Sequence, residues 1–155
     1  MSMLFKTHVA MTLFAVLFLF EHVEYTFAFI VISLISGVLP DIDSGFSTLG
    51  KRRIFKPVQI LTHHRGFFHS LTFCIGISAL LAFYFPIYAL PFFLGYGLHL
   101  FADSFTVEGI RPFWPLKIES KGRLRVGSAF EGALFIGFCI IDAVLIFVFA
   151  ASLFA

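Results

Sequence analysis

The chain has 155 residues, of which 59% are hydrophobic and only 13% charged, with 24 phenylalanines and a formal net charge of +2. A length of this kind fits one domain, read as residues 1–155. A soluble domain of that size would carry far more charge, so the composition excludes an ordinary water-exposed globule.

Five apolar stretches follow one another at 4–20, 25–39, 67–85, 87–101 and 129–155. A helix that crosses a bilayer needs about 20 apolar residues and tolerates about 17. The third and fifth stretches meet that length alone, and the other three meet it as slightly short or end-extended helices. The expected fold is therefore all-α, an integral-membrane bundle of about five transmembrane helices. In the first stretch Lys6 precedes an apolar run, as in a secretory leader. Because 21–25 (Glu-His-Val-Glu-Tyr) lacks a small-residue cleavage pattern, an uncleaved first helix is expected. Cys74 and Cys139 lie within the third and fifth stretches at no metal or disulfide spacing and read as small hydrophobes.

The basic residues give the orientation. Lys6 precedes the first stretch. Lys51, Arg52, Arg53, Lys56 and Arg65 separate the second and third, and Arg111, Lys117, Lys121, Arg123 and Arg125 separate the fourth and fifth. With five helices all of these segments share one side, and the alternate connections hold no Lys or Arg. The positive-inside rule makes that side cytoplasmic, with the N-terminus inside and the C-terminus outside, in the inner (cytoplasmic) membrane of the cell.

On this topology every polar cluster falls at the cytoplasmic ends. His8 opens the first helix, Asp41 and Asp43 follow the second, His64 and His69 open the third, His99 and Asp103 close the fourth, and Glu131 opens the fifth. A compact bundle would bring them into one layer. His99 and Asp103, four residues apart, share a helical face with Cβ atoms about 5–6 Å apart, close enough for one ion. Asp41, Asp43 and Asp103 sit at helix C-termini, where the macrodipole repels carboxylates, and a cation would remove the conflict. His64 and His69 sit at a helix N-terminus, which favours the neutral, ligating imidazole. If 41–43 is extended, Asp41 and Asp43 point the same way, one on the ion and the other orienting a histidine. Imidazole and carboxylate without thiolate suit a divalent metal, zinc first and manganese or iron as alternatives. The ligands outnumber what one tetrahedral ion needs, so one or two ions are expected.

Read together, Thr7-His8, the Leu-Pro-Asp-Ile-Asp-Ser run at 39–44, His64-Arg-Gly-x-x-His69-Ser70, Gly95-x-x-x-His99-x-x-x-Asp103 and Gly127-Ser128-x-x-Glu131 resemble the YdjM-like family of predicted membrane-bound metal-dependent hydrolases. The resemblance implies a membrane hydrolase in which His8, Asp41, His64, His69, His99 and Asp103 bind metal. The family's likeness to zinc phospholipase C proteins implies a phosphodiester or phospholipid substrate.

The remaining polar residues complete the expectation. Glu131 or Asp43 would manage the proton of metal-activated water, and Arg65 would bind an anionic group with its fork of donors. Asp142, eleven residues beyond Glu131 on the same helical face, lies deep in the last apolar stretch, where an acid is a functional candidate or a protonated acid bonded to a neighbouring helix. Basic and apolar residues intermingle at 51–56, which reads as contact with anionic lipid; nucleic acid is the weaker partner. Phe113-Trp114-Pro115-Leu116 reads as an interfacial anchor or as a cover over the site. His22 and His63 receive no role. The expected function is a metal-dependent hydrolase at the membrane surface. Its rivals are a transporter of protons or metal ions, and a non-catalytic regulator with a structural metal.

Overall fold

The computed structural model describes residues 5–43 and 67–152, with Ile42 and Asp43 as backbone only. Among the described residues there are five α-helices: α1 Phe5–Leu19, α2 Thr26–Ser36, α3 Leu71–Tyr84, α4 Pro86–Ser104 and α5 Ala129–Ser152. Short 3-10 turns follow α1 (Phe20–His22) and α2 (Leu39–Asp43). The all-helical architecture agrees with the sequence reading; no strand is present among the described residues, only two isolated bridges.

The helix lengths depart from expectation. Among the described residues only α5, 24 residues long, is by itself long and apolar enough to cross a membrane. The stretch at 67–85 yields just 14 helical residues, because Ser70 caps α3 by accepting from Phe73 N at 3.1 Å and the preceding residues form a turn. α4 reaches 19 residues but is diluted by Pro91, two glycines and the polar His99 and Asp103. The run at 41–43 is not extended: it lies in the 3-10 turn, which Pro40 favours through its fixed φ, so an alternating direction for Asp41 and Asp43 does not apply.

α4 is central and packs on α1, α2 and α3, while α5 packs on α1. α1 and α5 run parallel, since Thr7 bonds Glu131, Phe14 meets Phe138, and Phe20 meets Phe149 at the far end. The α2–α4 contact is very close: a Cβ on Gly95 would collide with the Ser33 carbonyl and the Ser36 hydroxyl, and Ser36 Oγ donates to the Pro91 carbonyl at 3.3 Å. Small side chains at this crossing let the backbones approach.

Between α4 and α5, residues 105–128 form a compact cap. Ile110 and Ser120 exchange backbone hydrogen bonds at 2.9 Å, and Thr72 N donates to the Pro112 carbonyl at 3.2 Å, tying the cap to α3. Gly109 takes a φ of +64°, a conformation that favours glycine, where the chain turns under Ser120. Phe67 packs edge-on against Trp114, so the aromatic pair at 113–114 rests on the turn before α3.

The molecule is apolar outside and polar within. Phe27, Phe83 and Phe147 are largely exposed, whereas His8, Asp41, His69, His99, Asp103 and Glu131 are buried. That inverts the usual sorting of a soluble domain.

Candidate metal centre

Each member of the buried cluster arrives by a different local device. His8 lies in the first turns of α1, next to Thr7. Asp41 is carried by the 3-10 turn, whose start is marked by Asp41 N donating to the Val38 carbonyl at 3.3 Å. His69 sits in the turn before α3. That turn is pinned by Ser70 Oγ donating to the Phe67 carbonyl at 2.6 Å and by the Tyr96 hydroxyl donating to the Phe68 carbonyl. His99 and Asp103 occupy the last turns of α4, where Thr106 N and Oγ1 both donate to the Asp103 carbonyl and close the helix end.

These side chains converge. His8 Nε2 stands 3.4 Å from Asp103 Oδ1, His99 Nε2 3.7 Å and His69 Nε2 3.8 Å from Asp103 Oδ2, and His99 Nε2 3.9 Å from Asp41 Oδ1. The His8 and His99 rings stack at 3.9 Å. Two sets of three ligand atoms lie within 4.8 Å of one another: His8, Asp41 and His99, and His69, His99 and Asp103.

The spacing fits a metal. Two ligand atoms, each about 2.1 Å from one ion at a tetrahedral angle, are about 3.4 Å apart. Separations of 3.4–3.9 Å are too long for good direct hydrogen bonds and near the distance of atoms that share an ion. Among the described residues His8 Nδ1 and His99 Nε2 have no hydrogen-bond partner, and His8 Nε2 has only the long approach to Asp103 Oδ1 at 3.4 Å. Burying such groups without partners costs about 1–3 kcal/mol each, a cost that a cation would offset. The chemistry of the donors, imidazole and carboxylate without thiolate, suits zinc, manganese or iron.

His99 is also oriented from outside the cluster. Its Nδ1 lies 2.8 Å from the Gly37 carbonyl. A carbonyl only accepts, so Nδ1 carries the proton and Nε2 presents its lone pair to the carboxylates. Gly37 and Tyr96 are therefore positioning residues that the sequence reading did not single out. Tyr96 looks like one more apolar-helix aromatic, and a backbone acceptor leaves no trace in residue type. Glu131 lies outside both ligand sets: its Oε1 accepts from Thr7 Oγ1 at 3.3 Å and its Oε2 from Gly127 N, while Ser128 Oγ accepts from Glu131 N at 3.3 Å. It fastens the start of α5 to the start of α1. His64, Arg65 and the side chain of Asp43 lie outside the described residues, as do His63, Lys51, Arg52, Arg53 and Lys56.

A groove of about 480 Å³ lies on the other side of α4, lined by Leu71, Gly97, Phe101, Ile110 and Phe113 with Ser104 and Ser120. It is apolar and separate from the cluster, although Leu71 and Ser104 stand close in sequence to His69 and Asp103.

A family model described as YdjM inner membrane protein matches residues 3–155. The chain belongs to that family. It is similar to the inner membrane protein YdjM of Escherichia coli (strain K12), with 37% identity over 97 residues, covering 55% of this chain and 48% of that protein. The YdjM of Shigella flexneri shows the same identity and coverage. The chain spans about half the length of the curated relatives it matches. No solved structure matches it. Membership in an inner membrane protein family accounts for the apolar exterior, which a lipid environment would cover.

Proposed function

We propose that the chain is a divalent-metal-dependent hydrolase of the inner membrane, acting at the cytoplasmic interface on a phosphoester or phospholipid. The observation that carries this reading is the buried meeting of His8, Asp41, His69, His99 and Asp103 at ligand-like separations. A divalent ion bound there supplies a Lewis acid able to lower the pKa of coordinated water toward about 7. Zinc is the first candidate and manganese or iron the alternatives, with His64 as a further ligand. Asp43 or Glu131 takes the proton, and Arg65 receives the anionic group. Glu131 already accepts two hydrogen bonds, which makes it the weaker base of the two. The basic cap residues Arg111, Lys117, Lys121, Arg123 and Arg125 follow the cluster end of α4, which supports the cytoplasmic assignment. The apolar groove supports a substrate with a lipid chain.

The test is metal analysis of purified protein, followed by turnover of phospholipid and phosphodiester panels with zinc, manganese or iron. Stoichiometric metal, with turnover lost in His69→Ala and Asp103→Ala, is the expected result. Absence of divalent metal would overturn the reading, and metal without turnover of any substrate would favour a non-catalytic regulator.

One observation favours a second reading, transport of protons or metal ions. Asp142 is buried midway along α5, and its two carboxylate oxygens make no hydrogen bond among the described residues. Flux into proteoliposomes that depends on Asp142 and not on His69 would support it.

A further inference from the structure

The two ligand sets in the cluster have one residue in common. His8 and Asp41 form one with His99, and His69 and Asp103 form the other with the same His99. A neutral imidazole that donates through Nδ1 has a single lone pair left, on Nε2. In His99 the donation is accounted for by the Gly37 carbonyl at 2.8 Å, and Nε2 faces both carboxylates, 3.7 Å from Asp103 Oδ2 and 3.9 Å from Asp41 Oδ1. One lone pair serves one ion at a time. For His99 to bridge two ions it would have to lose its Nδ1 proton as well, and that proton is engaged by a backbone acceptor that packing holds in place. The hold comes from two sides: at the α2–α4 crossing a Cβ on Gly95 would collide with the Ser33 carbonyl and Gly37 N, and on the α1 side a Cβ on Gly37 would collide with Thr12 Oγ1.

We propose that the two sets are alternative stations for a single divalent cation, made mutually exclusive by the shared His99 Nε2. The inference rests on the metal reading above and goes beyond it by giving the ion count and a route between positions. An ion held by His8, Asp41 and His99 passes to His69, Asp103 and His99 by exchanging two ligands while keeping the third. Asp103 assists this passage because its two oxygens address different histidines: Oδ1 faces His8, whereas Oδ2 faces His69 and His99.

The experiment is titration of the metal-free full chain in detergent with Co²⁺, read by calorimetry and by the visible absorption of the bound ion. The wild type is expected to saturate at one ion per chain. His8→Ala and His69→Ala each leave one station complete, so each should still bind one ion with a different absorption spectrum from the other, and because the two stations share the wild-type affinity between them, at least one of the variants should bind within about twofold of the wild type. His99→Asn keeps an amide donor for the Gly37 carbonyl but has no ring nitrogen to offer, and it should fold yet lose both stations. Two ions per wild-type chain, with one retained in His99→Asn, would overturn the shared-station proposal while leaving the metal reading intact. Identical spectra for His8→Ala and His69→Ala would also overturn it, by showing one fixed position. No Co²⁺ binding at all would overturn the metal reading itself.

Discussion

His99 and Asp142 are both ionisable residues buried in apolar helices, and their surroundings could hardly differ more. His99 has a backbone acceptor behind it, a stacked imidazole beside it and two carboxylates in front. Asp142 has no hydrogen-bond partner among the described residues and sits on a helix that packs chiefly against α1. The contrast teaches that burial alone does not mark a site. What marks the cluster is convergence from several helices, with supporting bonds that fix the His99 ring and the backbone turns carrying His69 and Asp103. A lone buried acid raises a question about charge or stability; a converged set raises one about ligands.

The largest effect expected from this contrast is on metal affinity. Asp103→Ala removes the carboxylate that faces three histidines, and Zn²⁺ or Co²⁺ affinity should fall by more than about a hundredfold, beyond the usual loss of an outer partner. Asp142→Ala should leave affinity unchanged in the same calorimetric titration. If the two variants behaved alike, the distinction between the regions would be lost.

Next in size is Gly95→Ala. Its new Cβ would push on Ser33 and Ser36 and part α2 from α4, costing about 1–3 kcal/mol in unfolding experiments. It should also weaken metal binding, because the Gly37 carbonyl would move away from His99. Unchanged metal affinity at reduced stability would show that the Gly37 carbonyl does not position the ring.

Asp142→Leu should do the reverse and stabilise the fold by about 1 kcal/mol, since an unbonded buried carboxyl is replaced by a packed apolar group. A fall in thermal stability would mean that the acid has a partner and resembles the cluster after all.

The smallest effect belongs to the cap. Glu119 is exposed and its carboxyl pKa is lowered, first by its hydrogen bond with Lys121 and then by that with Arg111. A lowered pKa gives stability that is present above the ordinary glutamate value and fades as pH falls through the lowered one. Glu119→Gln should therefore flatten a slight acid-side decline in cap stability, measured by hydrogen exchange at Ile110 and Ser120, and leave metal binding untouched.

Much of the architecture was legible in the sequence because apolar runs and turn residues mark helices directly. The parallel placement of α1 and α5 follows from an odd number of helices that alternate in direction, and the meeting of the polar residues follows from their positions at the ends of the apolar runs. The local geometry at helix ends was not legible. Asp41 sits in a 3-10 turn because Pro40 fixes the backbone there, and α3 begins late because Ser70 caps it. The cap at 105–128 leaves no alternating pattern in the sequence because its backbone ladder is too short, and only residues 113–116 stand out there, as an interfacial anchor or a cover over the site. For the site, the residue types and their shared level could be read, whereas the choice of His99 nitrogen depends on a carbonyl and the hold on His69 depends on a tyrosine hydroxyl.

The bond between Thr7 and Glu131 joins residues 124 positions apart, and it lies one residue from His8. During synthesis α1 emerges long before α5, so His8 waits without this anchor until α5 has been made. The helix that carries His8 is thus fastened only after the other ligand residues have been made, and a chain halted before α5 holds His8, Asp41, His69, His99 and Asp103 with the first histidine not yet fastened in place.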